Sequence, residues 1–498
     1  MIETLLEALL IVLSWPTILW VVAGIVIGMI FGATPGIGST LGMALVLPFT
    51  IVLDGLSAFV VLIGIYHGAT YGGSIAAILI NVPGTAASAA STFDGYPMTK
   101  EGRARDALAI SATASAIGAI VTVTLLILVS PLLTQFLLLF GTPENFLMTV
   151  LGIAMISVIS RGSVIKGYIA GVFGLLLTTI GIAPMVPTQR YTLGFLGLFD
   201  GLSFLAILIG LFAVSEMLIL ARKEGGIADE GTEITGSLKT GMNEVISRPV
   251  VTIKSSMIGL AIGAIPGAGA AVSNFFAYSE AMRASRNPDA YGSGSEEGLL
   301  AAESSNNGTV GGSILPTIAF GIPGSTATAV LLGGFIMHGL RPGPTMFTDN
   351  LVITFAMFLA LIVGSVVIFV LGMTVIVRLA KLTFIDSHRL IPIILVLSVL
   401  GAYAVRNNWW DIWTVLVIGL IGYFMVKYNY SIIAFTLGAV LGPIAEENFF
   451  RSLQMGDVPG IVFVTRPLSI ILILLTILML LSPAIEHYRS DGNDASEP

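Results

Sequence analysis

Gly32-Ala33-Thr34-Pro35-Gly36-Ile37-Gly38 in the first half of the chain is matched without a gap by Gly263-Ala264-Ile265-Pro266-Gly267-Ala268-Gly269 in the second. Both stretches put a Pro-Gly pair inside apolar sequence. Proline lacks the amide hydrogen and collides with the preceding turn, and glycine admits backbone angles that other residues resist, so each stretch stops a helix. A second motif follows each in the same order. Gly72-Gly73-Ser74-Ile75 and then Val82-Pro83-Gly84-Thr85 are answered, with a one-residue shift, by Gly311-Gly312-Ser313-Ile314 and then Ile322-Pro323-Gly324-Ser325. Two ordered motifs recurring at a separation of about 231 to 240 residues mark an internal duplication.

The surrounding composition says what solvent these breaks live in. Of 498 residues 55% are hydrophobic and only 10% charged, against about 25% charged in a soluble domain. Mean hydropathy is +0.97, which excludes an ordinary soluble enzyme and makes the bilayer the solvent for most of the chain. The expected fold is an all-α polytopic membrane protein, with about 10–14 transmembrane or re-entrant helices in two inverted-topology repeats with Pro-Gly-broken helices. A net charge of −7 without a Lys/Arg run beyond two residues leaves no footprint for nucleic acid. Cysteine is absent and the four histidines are scattered, so neither disulfides nor a metal cluster is expected. The chain has no G-x-x-x-x-G-K-[ST], H-E-x-x-H or G-x-S-x-G motif, and catalysis is not indicated.

Apolar spans fall near 15–32, 107–130, 145–160, 167–187, 195–220, 350–377, 390–404, 409–426, 430–445 and 466–485, while 41–90 and 256–337 are apolar but broken. They group into a first transmembrane repeat (15–221), a cytoplasmic inter-repeat loop (222–254), a second repeat (255–445), a C-terminal loop with an extra transmembrane helix (446–485) and a disordered acidic tail (486–498). Residues 1–14, with Glu3 and Glu7 four apart on an otherwise apolar helix and no positive n-region, read as an interfacial N-terminal helix. The distribution of Lys and Arg over short loops places Lys100/Arg103/Arg105, Arg161/Lys166, the 222–254 loop and the C-terminal tail in the cytoplasm. The loop after the second motif then lies inside in one half and outside in the other, which implies repeats of opposite orientation.

In hydrocarbon a helix break is tolerated only where it is buried in protein or faces a water-filled cavity, so four breaks point to one shared cavity. The helix that starts after each break offers free amide hydrogens, a dipole of about half a positive charge and hydroxyl donors, which together can cradle an anion without a buried arginine. The candidate substrate-binding residues are Pro35, Gly36, Gly38, Ser39, Thr40, Pro83, Gly84, Thr85, Ser88, Pro266, Gly267, Gly269, Pro323, Gly324, Ser325 and Thr326. Asn81, Asn274, Asn306 and Asn307, with Ser/Thr and half-helix carbonyl oxygens, suit a bound Na⁺. Glu303, an ionisable residue at membrane depth, and His67 are the candidate groups for cation binding or for coupling through H⁺. No cofactor beyond Na⁺ is expected. The competing account is structural: small residues let helices pack closely, and His67 is a hydrogen-bonded core histidine.

Gly32–Thr50, Tyr66–Arg103 and Ile265–Phe347, with YGGS, PG and DGYP in the first half and NNGTVGGS, GIPGS and HGLRPGP in the second, closely resemble the large membrane subunit of the tripartite tricarboxylate transporter family. The resemblance runs over nearly the whole chain. It implies a binding-protein-dependent secondary transporter in the bacterial inner membrane, working with a small four-helix membrane subunit and a periplasmic solute-binding protein. Its substrate would be a di- or tricarboxylate such as citrate, imported with cation symport by alternating access, with an elevator motion as the narrower expectation. The rival readings are a carboxylate channel and a membrane-embedded enzyme using Glu303 or His67.

Overall fold

The structure, a computed structural model, describes residues 1–34, 36–155, 163–183, 187–222, 234–375, 390–456 and 458–494. Pro35 of the first motif therefore lies outside the described residues, as do 223–233 of the inter-repeat stretch and 495–498 of the tail. The first half runs through α1 (Ile2–Leu13), α2 (Thr17–Ala33), α3 (Gly38–Val46), α4 (Gly55–Ile80), α5 (Thr92–Lys100), α6 (Ala104–Leu137), α7 (Thr142–Ala154), α8 (Val164–Leu177) and α9 (Phe204–Leu220). The second continues with α10 (Leu238–Ser247), α11 (Pro249–Gly263), α12 (Gly269–Ala284), α13 (Glu296–Phe320), α14 (Thr326–Met337), α15 (Leu351–Thr374), α16 (Leu390–Arg406), α17 (Trp409–Lys427) and α18 (Ile432–Leu453). A short α19 (Val462–Thr465) and α20 (Pro467–Asp494) follow. Among the described residues the only strands are Gly181–Ile182 and Gln189–Arg190, paired as a hairpin.

The chain is thus an all-α polytopic membrane protein. Among the described residues five helices, α4, α6, α15, α17 and α18, are long and apolar enough to cross a bilayer, and the bent pairs α1–α2 (68°) and α10–α11 (79°) raise the number to seven if each is one span. Six shorter apolar helices accompany them.

The two zones that read as apolar but broken supply the two most enclosed helices. Every residue in the apolar window of α4 is buried, and α13 is buried without interruption from Gly298 to Ile314. Their glycines, serines and asparagines lower the hydropathy because they face other helices rather than lipid. Each helix is bounded by its own sequence. Asp54 caps α4 by accepting from the Ser57 amide at 3.0 Å, and Asn81 ends it in the left-handed region at φ 56°. Ser295 caps α13 by accepting from the Gly298 amide at 3.1 Å, and Gly321 ends it at φ 68°.

Glycine lets α2 approach α4, and α11 approach α13, almost to backbone contact. A Cβ on Gly28 would lie 2.4 Å from the Ile65 carbonyl oxygen, and one on Gly259 would lie 2.5 Å from that of Ser305. In the opposite direction, a Cβ on Gly72 would meet Met29 O at 2.6 Å and one on Gly312 would meet Leu260 O at 2.4 Å. These contacts set one register, in which Gly72 is equivalent to Gly312 and Gly73 to Ser313. The GGS letters of the two motifs are one residue out of structural register, and the apparent shift before the Pro-Gly pairs disappears.

The duplication also governs how the halves meet. The first-half helix α6 packs on α13 and α10, and its second-half counterpart α15 packs on α4 and α1. This reciprocity is what a pseudo-two-fold relation produces. Asp94 of the DGYP motif clamps the halves directly, its Oδ1 accepting from the amides of Gly292 (2.8 Å), Gly294 (2.9 Å) and Ser295 (2.8 Å). Arg103 pairs with Glu296 beside it.

Three stretches differ from their sequence outline. The helix within 167–187 ends at Leu177, and the chain enters the hairpin through Gly181 at φ 121°. The 222–254 stretch contains α10, whose preceding Ser237 amide donates to Asp106 on α6. The last helix continues past residue 485.

Gly28→Ala tests the close approach. The added methyl has no room against α4, so a loss of about 1–3 kcal/mol of stability is expected, read as a lower melting temperature or reduced monodisperse yield. Gly55→Ala, whose Cβ would sit 3.6 Å from its nearest neighbour, is expected to behave as wild type.

Candidate functional site

The helix breaks meet one another. The hydroxyls of Thr40 on α3 and Thr326 on α14 lie 2.8 Å apart, joining the first break to the fourth. Asn274 on α12 donates from Nδ2 to the Ala87 carbonyl at 2.7 Å, joining the third to the second. Gly267 N donates to Gly324 O at 3.0 Å within the second half, and Gly84 packs against the Gly32 carbonyl within the first, so closely that a Cβ on Gly84 would lie 2.0 Å from it. The four contacts close a ring. Tyr66 on α4 enters it from the side, its hydroxyl 3.3 Å from that of Ser325.

Local chemistry fixes each corner. Gly36 and Gly38 have φ of 85° and 63°, and the equivalent Gly267 and Gly269 have 75° and 70°, left-handed turns that reverse the chain into α3 and α12. Gly84 is packed so that a Cβ would lie 2.0 Å from Gly32 O, and Gly324 so that one would lie 2.7 Å from both Cα and O of Ser313. Thr85 with Ser88 and Ser325 with Thr328 form reciprocal capping boxes at equivalent places. These hydroxyls are therefore occupied in turning the chain. The first-turn amides of α3 and α12, and those of Thr326 and Ala327 on α14, have no acceptor inside their own helices, whereas the Thr328 amide donates to Ser325 Oγ at 3.2 Å. After the second break the chain forms a 3-10 turn, Ala86–Ser91, before α5 begins. Pro266 and Ser39 flank the ring half-buried, whereas Pro83 is exposed.

A cavity of about 10 Å³, lined by Pro323, Ser325, Thr326 and, from α18, Thr436 and Leu437, opens at the α14 corner. That volume fits one water molecule. At this corner there is no room for a larger ligand.

The asparagines and ionisable residues divide. Asn81 is exposed at the end of α4, apart from the others. His67, Asn274, Glu303, Asn306 and Asn307 are all fully buried. His67 and Asn307 occupy equivalent positions in the two repeats and touch each other across the pseudo-two-fold. A chain of hydrogen bonds sets their orientation. Ser365 Oγ donates to the Leu361 carbonyl (2.7 Å), so it accepts from His67 Nε2 (2.9 Å), and His67 Nδ1 accepts from Asn307 Nδ2 (3.1 Å). Both ring nitrogens are engaged, which is the arrangement of a neutral core histidine. Glu303 accepts from Ser91, from Ser111 at 2.9 Å and from Ser115 at 3.1 Å.

Sequence reasoning missed Tyr66, Ser365, Thr436 and the serines around Glu303. Ser111 and Ser115 stand four apart on α6, the spacing that puts two side chains on one helix face, and that signal was available. The others become visible only once α13, α14, α15 and α18 are placed against their partners.

The profile of the Tripartite tricarboxylate transporter TctA family matches residues 18–437. An "Uncharacterized 52.8 kDa protein in TAR-I ttuC' 3'region" of Agrobacterium vitis is 33% identical over 483 residues, covering 95% of this chain and 94% of that protein. An "Uncharacterized protein in TAR-II ttuC' 3'region" of the same organism is 30% identical over 234 residues, 46% of this chain and 97% of that protein. No solved structure matches.

Because the chain has no cysteine, the ring can be tested by cross-linking. The pair Thr40→Cys and Thr326→Cys is expected to form a disulfide on mild oxidation, detected by the halves staying joined after cleavage at a protease site inserted between 222 and 234. Unjoined halves would show that the first and fourth breaks are not adjacent.

Proposed function

The chain belongs to the Tripartite tricarboxylate transporter TctA family, a transporter family, and from that premise we propose that it is the translocating subunit of a binding-protein-dependent secondary transporter importing a di- or tricarboxylate by cation symport. The observation that carries this reading is the closed ring of four helix breaks. It gathers three α-helical N-termini, each worth about half a positive charge, around a place that no lysine or arginine of the motifs enters. Such a ring suits a ligand with several acceptor oxygens. Residues Gly36, Gly38, Ser39, Thr40, Gly84, Thr85, Pro266, Gly267, Gly269 and Pro323–Thr326 are assigned to the substrate, with Ser88 and Pro83 supporting their loops.

The proposed setting is the bacterial inner membrane, with the C-terminal tail in the cytoplasm and the two repeats inverted. The partners are a small four-helix membrane subunit and a periplasmic solute-binding protein that delivers the carboxylate. Inversion is supported by the Lys/Arg distribution together with the reciprocal packing of α6 and α15. Alternating access follows if the ring opens to each side in turn. The motif-bearing helices then move against α7, α8, α17 and α18 in the manner of an elevator.

The test is uptake of labelled citrate and of dicarboxylates into proteoliposomes holding the chain and its small subunit, with binding protein added or omitted, under an imposed Na⁺ or pH gradient. Uptake that needs the binding protein, follows a gradient and shows counterflow is expected. Flux independent of both, without counterflow, would identify a channel. Gly324→Leu, which forces a side chain against Ser313, is expected to abolish uptake while membrane insertion persists.

A further inference from the structure

Glu303 is a carboxylate at the centre of the molecule without a counter-charge. It sits mid-way along α13 at 0% exposure, and among the described residues no lysine, arginine or histidine forms an ion pair with it. Its hydrogen-bond partners are all neutral hydroxyls: Ser91 on one oxygen, Ser111 and Ser115 on the other, with Ser74 of α4 also in reach. Taking an ionised carboxylate out of water costs several kcal/mol even after the protein relaxes, and hydroxyl donors offset only part of that.

An independent feature points the same way. Three buried asparagines each commit their amide nitrogen to an acceptor whose direction is fixed. Asn306 Nδ2 donates to the Thr70 carbonyl (3.2 Å), Asn274 Nδ2 to the Ala87 carbonyl, and Asn307 Nδ2 to His67 at the end of the chain that terminates on the Leu361 carbonyl. A backbone carbonyl only accepts, so none of these amides can be turned over. Each Oδ1 is left buried without a donor. An unsatisfied buried acceptor is costly, and a cation satisfies it where another acceptor cannot. Asn306 is contiguous with Glu303, since Ser74 Oγ lies 3.4 Å from Asn306 Nδ2 and also reaches the carboxylate.

We propose that Glu303, Asn306 Oδ1 and the hydroxyls of Ser74, Ser91, Ser111 and Ser115 form a binding site for one Na⁺. One carboxylate among neutral oxygens balances one positive charge. A divalent ion would call for more acidic ligands, and among the described residues no group of three His, Asp or Glu could hold one. The hydroxyls that now donate to Glu303 keep lone pairs and rotate to offer them. The site occurs once despite the duplication, because the position equivalent to Glu303 in the first repeat is Ile63, which carries no oxygen.

This assignment deepens the symport reading and rests on it for its purpose. Ser91 closes the 3-10 turn Ala86–Ser91 that begins at the second break, so a cation held through Ser91 orders one corner of the substrate ring. Na⁺ and carboxylate then raise each other's affinity by the same factor, as linkage requires.

The experiment is equilibrium binding of ²²Na⁺ to the purified full-length chain with its small subunit, at constant ionic strength in choline chloride, from pH 6 to pH 8, without substrate or binding protein. Wild type is expected to bind Na⁺ saturably with a Hill coefficient near one. Glu303→Gln is expected to lose binding, and Ser111→Ala and Asn306→Ala to weaken it about tenfold. Absence of Na⁺ binding by wild type at every pH, or wild-type affinity in Glu303→Gln, overturns the proposal. If Glu303→Gln does not purify as a monodisperse protein, wild-type affinity in both Ser111→Ala and Asn306→Ala overturns it. Binding is measured without carboxylate flux, so a failed uptake assay with intact Na⁺ binding counts against the transport reading alone.

Discussion

A backbone amide or carbonyl has no water to bond with in hydrocarbon, and the whole arrangement follows from that. Four Pro-Gly breaks release four sets of such groups at membrane depth, and each must be enclosed by protein. The chain encloses them against one another. Gly267 N reaches Gly324 O, the loop at Gly84 sits on Gly32 and Gly73, and capping boxes absorb the amides of Thr85 and Ser325. Once the breaks share one location, α4 and α13 must pass beside it, which explains why these polar-looking helices are the most buried. Their close approach to α2 and α11 in turn requires glycine at the contact points, because an additional methyl would collide with a backbone oxygen.

The duplication copies this scaffold faithfully and the chemistry unevenly. Glycines and caps repeat in one register, so the two cradles have equivalent backbones. Side chains at equivalent places differ: Tyr66 opposite Asn306, His67 opposite Asn307, Ile63 opposite Glu303. The backbone frame is shared by the two halves, while the differing side chains make the two otherwise equivalent cradles chemically distinct. His67 and Asn307 sit where the halves meet and satisfy each other, so the pseudo-two-fold passes through a completed hydrogen-bond chain rather than through a free ionisable group.

How much of this could be read from the sequence depends on the range of the interaction involved. Breaks, caps and the duplication are local, and Gly32–Gly38 and Gly263–Gly269 announced them. Enclosure of four breaks in protein follows from the solvent alone. The register of the GGS motifs was misleading because identical letters fell one residue apart, and only the contact of Gly72 with Met29 and of Gly312 with Leu260 resolves it. Asn81 shared a residue type with the buried asparagines, yet its position at a left-handed helix end sends it to the surface. Ser91, Ser365 and Thr436 were invisible for a different reason. Their roles come from packing between elements far apart in sequence, and a lone serine or threonine carries no pattern.

Charge balance ties the ring to Glu303. Three α-helical N-termini at about half a charge each supply about +1.5, less than the two or three negative charges of the carboxylates proposed as substrates. Glu303, linked to the ring through Ser91, would add a further negative charge when ionised. Without a cation the pocket and its ligand together hold an excess of negative charge in a medium that penalises it heavily. One Na⁺ on Glu303 would cancel the charge of that carboxylate alone and leave the helix termini for the substrate. The proposed cation and the proposed anion are thus linked through charge: a cation on Glu303 would lower the cost of admitting the anion, and a site present once in two repeats would suffice.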